Sequence, residues 1–280
     1  MRTFGYTVGT ILKRPFIIAY FAVLALALCT FELYFPVLDV IFKLGTFNSN
    51  DILASIIYLL QLVLKLVLNP KGILFLLLLI IVGSLLAGLL FSGWLYMINN
   101  TLEHRKKIKA ELMLGIKEYF GKISLITGVS SLLGVIFIIV CVIASVPAIV
   151  ITKAAMDNKA GLLMSAVIIN VITLGVLFFA VMFFRIYISH WYMAAYNHKK
   201  NSFLMGKKKA DSNFWTLVRS FFAFDIVFIV FTSFFLYADK LMGDDIILFI
   251  VKWIFSTVFF TMLVTYLFVL FKKPSGSRER

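Results

Sequence analysis

Long apolar runs alternate with short polar gaps along the whole of this 280-residue chain. The runs lie near 15–36, 72–98, 123–150, 161–189, 221–238 and 246–271. Each approaches or exceeds the roughly 20 residues that a helix needs to cross the hydrocarbon core. The pattern predicts an all-α fold, a polytopic membrane bundle of six transmembrane helices. One domain would cover 1–271, with a polar tail at 272–280. Residues 51–68 (DILASIIYLLQLVLKLVL) are nearly as apolar, but a polar stripe of Asp51, Ser55, Tyr58, Gln61 and Lys65 recurs at helical spacing. That stripe predicts an amphipathic helix on the outer face, either lying on the surface or packed partly into the bundle.

Charge sorts the gaps into two kinds. Twenty of the 27 Lys and Arg residues fall in 1–14, 100–122, 185–220 and 272–280, the alternate gaps. Cytoplasmic loops carry such an excess, so both termini and these four gaps are expected inside the cell. A seventh span at 51–68 would turn two of the basic gaps outward, which argues against it. The net charge of +14 is then a product of topology, and nucleic acid is not expected as a partner. With 62% hydrophobic and 14% charged residues, no segment is polar enough to form a soluble domain; 197–213, the longest hydrophilic stretch, reads as a loop. Cys29 and Cys141 fall inside apolar runs, which excludes a disulfide framework. Leu28 stands where a lipoprotein cleavage site needs a small residue, so the first run is read as an uncleaved helix.

The gaps also hint at repetition. TVGTILKRPFIIAYF, LGIKEYFGKISLI and FWTLVRSFFAFDIVF each lead from a basic gap into a span, about a hundred residues apart. Three two-helix units near 1–99, 100–189 and 205–271 would account for that spacing. A shared style of helix entry is the alternative.

Candidate chemistry is sparse. No HExxH, GxSxG, GxxxxGK[ST] or post-strand GxGxxG motif occurs, and no catalytic residue, metal site or cofactor is expected. His104, His190 and His198 read as ordinary interfacial histidines. Ionisable groups within spans mark function by default. Glu32 and Lys252 lie at similar outer depths, Asp225 and Arg185 at similar inner depths, so two ion pairs are expected; separate snorkelling is the alternative. Asn170 is the polar residue nearest a midplane and is expected to bond a neighbouring helix. Gly83, Ser84, Ala87, Gly88 and Ser92 form a small-residue stripe suited to close helix packing, within the chain or with a second copy. Pro147 is positioned to kink the third span. Arg105, Lys106, Lys107, Lys109, Lys207, Lys208 and Lys209 sit beside the membrane, where anionic lipid headgroups attract each charge by about 1 kcal/mol.

The ILKRPF entry, the GSLLAGLLFSGW second span and the GIKEYFGKI approach to the third resemble the six-helix membrane domain attached to some glycerophosphoryl diester phosphodiesterases and its stand-alone bacterial relatives. The resemblance implies the six-helix layout. It carries no active-site residues, because the catalytic domain is absent, and the stand-alone members are largely without assigned activity. An integral plasma-membrane protein follows, most simply a non-catalytic permease-like subunit or membrane-embedded partner of other proteins. A solute or lipid transporter acting alone is the alternative, and an enzyme acting on lipid headgroups is a third reading.

Overall fold

The computed structural model describes residues 2–34, 69–105, 109–156, 160–197, 201–242 and 246–272. The helix expected at 51–68, Lys106, Lys107 and the tail beyond 272 lie outside these residues. The described residues form seven α-helices and no strand: α1 (Arg2–Lys13), α2 (Phe16–Tyr34), α3 (Pro70–Leu102), α4 (Glu111–Met156), α5 (Leu163–Asn197), α6 (Ser202–Met242) and α7 (Ile246–Lys272). A three-residue 3-10 turn, Ala160–Leu162, precedes α5. Helices α3 to α7 are each long and apolar enough to cross a membrane. A sixth crossing is reached by counting α1 and α2 together, and these two are bent by 89°.

The bend has a local cause. Pro15 lacks an N–H and disfavours helical geometry at Arg14, so α1 cannot continue. The same proline has the φ that starts a helix, and the Ala19 N–H bonds its carbonyl at 3.0 Å. Pro70 starts α3 in the same way, with the Asn69 side chain accepting from the Lys71 N–H at 3.0 Å as its cap. His104, Ala110 and Asn201 take positive φ (54°, 58° and 61°), the last two just before α4 and α6 begin. The second and third basic approaches contain no proline, so they run unbroken into their spans. The 46 residues of α4 would extend about 69 Å, more than twice a hydrocarbon core. Residues 202–213, read from sequence as loop, are the start of α6. Pro147 lies inside α4, which continues past it.

The chain divides into two compact units. The first comprises Met1–Asp39, Ala87–Ser124 and Ile186–Arg280; the second comprises Val40–Leu86 and Leu125–Arg185. In the first, α1, α2 and α6 all pack on α7. Trp94, Ile17, Ile98, Ile186, Leu217 and Phe268 are each less than 2% exposed there. In the second, seven described residues are buried, and five are Ser or Ala: Ser84, Ser130, Ala148, Ala155 and Ala166. Small residues let helices approach where lipid supplies no hydrophobic drive between them.

Candidate functional site

The most developed polar arrangement lies in the first unit, where helix ends meet. Arg14, at the α1–α2 bend, sends one guanidinium nitrogen to both oxygens of Glu111, at 2.6 and 2.7 Å. Its other terminal nitrogen donates to the Arg105 carbonyl at 2.6 Å. Asn100, near the end of α3, donates to the same carboxylate at 2.9 Å. Glu111 is the first residue of α4, where a negative charge is favoured by the exposed N–H groups of the first turn. The Arg14 side chain is 14% exposed and that of Glu111 7%, so the pair is shielded from water. One guanidinium thus ties the bend, the 103–110 connection and the start of α4 together.

A second cluster adjoins it. Lys272, the last residue of α7, donates to the Asn99 carbonyl at 3.1 Å and to Glu103 at 3.0 Å. The other Glu103 oxygen pairs with Arg105 at 2.7 Å, and the Asn99 amide donates to Glu103 at 3.2 Å. Burial pushes the Glu103 carboxyl up, but Lys272, Arg105 and Asn99 outweigh it and hold it below the usual range. For Lys272 the balance reverses: burial, joined by the Arg105 charge, pulls the ammonium down against the Glu103 contact.

Aromatic groups and glycines pack the same region. Tyr119 lies between Tyr96 at 5.5 Å and Tyr196 at 4.5 Å, and Tyr196 donates to the Ser92 carbonyl at 2.8 Å. Trp94 donates to the Ile17 carbonyl at 3.1 Å, joining α3 to α2. A Cβ at Gly93 would stand 2.5 Å from the Leu112 carbonyl oxygen, and one at Gly115 would stand 2.6 Å from the Tyr96 Cβ. Only glycine permits that approach of α3 to α4. His190 is fully buried, with Phe271 at 5.5 Å. Its Nδ1 stands 3.0 Å from the Ile186 carbonyl, which can only accept, so Nδ1 carries the proton and Nε2 is an acceptor. Burial first, then the charge of Lys209, pulls the imidazole down to about 4 despite that hydrogen bond.

The residues singled out from sequence are distributed as follows. Glu32 and Lys252 both lie in the first unit, within electrostatic reach of the Cys29 thiol, whose sulfur is 4.0 Å from the Ser256 hydroxyl. Arg185 and Asp225 are each half-buried, the former at the end of the second unit's share of α5 and the latter in α6. Asn170 is exposed and donates to the Thr152 hydroxyl of α4 at 2.8 Å. Along the small-residue stripe, a Cβ at Gly88 would collide with the Ser124 side chain, and Ser84 lies against Gly128. Gly83 has nothing within 4 Å of where a Cβ would be, and Ala87 is half-buried. Lys207 and Lys208 are exposed on α6, Lys109 is exposed, and the Lys209 ammonium stands 5.8 Å from the Phe271 ring. Sequence reasoning passed over Arg14, Asn99, Asn100, Glu103, Glu111 and Lys272, or counted them only as loop charge. The available signal was the polar run NNTLEHR closing an apolar span.

Every Glu111 oxygen is engaged, so the carboxylate acts as a structural acceptor rather than a proton acceptor for chemistry. Among the described residues, no group of three or more His, Cys, Asp or Glu side chains converges to hold a metal ion. The fold and this cluster define a helical integral membrane protein. Compared with protein-family models, curated proteins and solved structures, the chain matches none of them.

Proposed function

We propose that this is a non-catalytic, permease-like subunit, a membrane-embedded partner of other proteins in a bacterial plasma membrane. It would cross six times, with α1–α2 as the first crossing and both termini and the basic gaps in the cytoplasm. The observation that carries the reading is uneven burial. In the most apolar stretch of α7, 44% of residues are buried, against 6% in α4 and in α5. A helix with nearly all its apolar side chains outward needs lipid or another protein to cover it, and the second unit is built largely of such surface. Arg105, Lys109, Lys207 and Lys208 hold anionic headgroups in this reading, alongside Lys106 and Lys107.

Photo-crosslinkers placed at Ile136 and Val176 in native membranes test it, with Val258 as the control. The expected result is a protein adduct of one defined mass from the first two positions alone. Only lipid adducts from all three would reject the partner reading. Orientation is tested separately by cysteines at 107, 157 and 208 in intact cells. An impermeant thiol reagent should label 157 alone, and labelling of 107 or 208 would overturn the topology. The second reading, a transporter acting alone, is favoured by buried hydroxyls on α3 and α7 of the first unit, and flux through the purified chain in proteoliposomes would establish it.

A further inference from the structure

Six helical threonines in this protein share a habit that two fully buried ones do not follow. Thr7, Thr10, Thr30, Thr101, Thr152 and Thr257 each donate to the carbonyl four residues back, at 2.7 to 2.9 Å. That bond is how a helix in an apolar medium satisfies a hydroxyl without help from a neighbour. Thr261 and Thr265, on α7, are 1% and 0% exposed, and their hydroxyls have no hydrogen-bond partner among the described residues. Serines show the same contrast. Ser84, Ser145, Ser189 and Ser220 bond carbonyls three or four residues back, whereas Ser92, 0% exposed on α3, bonds nothing through its hydroxyl.

Ser92, Thr261 and Thr265 all lie in the first unit, beside one chain of aromatic contacts. The Phe21 ring of α2 lies 4.8 Å from Trp94 and 6.1 Å from Phe260. Ser92 precedes Trp94 by two residues, about 3 Å of helix rise, and Thr261 follows Phe260 by one, about 1.5 Å. Thr265 is one turn further along α7. Beyond it the Phe268 ring is 6.2 Å from Tyr196, whose hydroxyl proton is committed to the Ser92 carbonyl. The Tyr196 oxygen can still accept. Thr261 stands two residues past the middle of the 27-residue α7, whereas Ser92 is ten residues from the end of α3 and Tyr196 is one from the end of α5. A buried hydroxyl without a partner is costly, and three in this part of one unit call for a ligand.

We propose that Ser92, Thr261 and Thr265 line an internal polar site that binds ordered water, with the Tyr196 oxygen as a fourth partner. The chemistry selects water over an ion. Each hydroxyl can donate and accept, water does both, and an ion would use one capacity and waste the other. Three or four polar partners are also the usual complement of a buried water. The first unit then has a hydrated interior point, whichever functional reading holds.

Two measurements on the full chain in nanodiscs test the site. Thr261→Val with Thr265→Val keeps shape and removes both hydroxyls. If water bridges them, Tm falls by about 2–4 °C per hydroxyl. If they are dry orphans, Tm stays level or rises, because an unsatisfied group has been removed. Water-edited solid-state NMR on threonine-labelled protein in deuterated lipid gives the second readout. Magnetisation from water should reach the Thr261 and Thr265 methyls faster than Thr257, which bonds the Trp253 carbonyl at 2.8 Å. Transfer no faster than to Thr257 overturns the proposal even if Tm falls, since the hydroxyls would then be bonding protein.

Discussion

The two units solve the problem of helix association in different ways. The first buries charge and bulk: Arg14 on Glu111, Lys272 on Glu103, and Trp94 and Phe268 at less than 2% exposure. The second buries mainly Ser and Ala, stacks Phe137 on Phe184 at 4.8 Å, and joins two helices by one amide-to-hydroxyl bond, Asn170 to Thr152. Lipid tails are as apolar as leucine, so burying more leucine gains little. The first unit replaces that missing drive with directional contacts, which tolerate few substitutions. The second relies on close approach and leaves most of its apolar surface to be covered from outside, which suits a side presented to partners. The comparison therefore predicts concentrated sensitivity in one unit and shallow sensitivity in the other.

Removing one member of the buried pair should have the largest effect. Glu111→Ala leaves the Arg14 guanidinium shielded with no carboxylate, and a loss of about 3–5 kcal/mol is expected in steric-trapping unfolding. A loss below about 1 kcal/mol would erase the contrast between the units. Next comes Gly115→Val, which drives a branched side chain into Tyr96 and should cost about 1–3 kcal/mol. Gly83→Ala, with open space around it, should be neutral or slightly stabilising by helix propensity.

A pH scan sharpens the comparison further. The imidazole of His190 titrates near 4 when folded and near 6.5 when not, so the unfolded state binds more protons between those values. Stability should therefore be full above about pH 6.5 and fall as pH drops toward 4. His190→Gln should flatten that part of the Tm profile, and a slope unchanged by the substitution would reassign the titration. In the second unit the cost should be modest: Asn170→Leu should lose about 0.6 to 1.7 kcal/mol, the range of single hydrogen bonds between helices in membranes. A loss as large as that of Glu111→Ala would show that the second unit also has a dominant contact.

Some of this was legible in the chain and some was not. Apolar runs marked the long helices because a helix in lipid needs continuous hydrophobicity; the α1–α2 bend at Pro15, where a proline ends one helix and begins another, does not show in the pattern of runs. The unbroken reach of α4 and α6 into basic gaps was not legible from hydropathy, since an amphipathic helix outside the core scores as loop. The 202–213 stretch was misread for that reason. The Arg14–Glu111 pair was hidden for a different one: positive charge in these gaps already had an explanation in topology, and residues 97 positions apart carry no local sign of contact. The threonines at 257, 261 and 265 are visible as a spacing of four, but spacing alone does not reveal which hydroxyl bonds its own helix.

The most direct test of the account is the coupling free energy between Arg14 and Glu111. A double-mutant cycle with Arg14→Met and Glu111→Leu, read by steric-trapping unfolding in bicelles, isolates it. A coupling above about 2 kcal/mol is predicted, since either single change strands the other charge in a site 14% or less exposed. Additive losses, with coupling within about 0.5 kcal/mol of zero, would contradict the claim that this pair fastens the helix ends of the first unit.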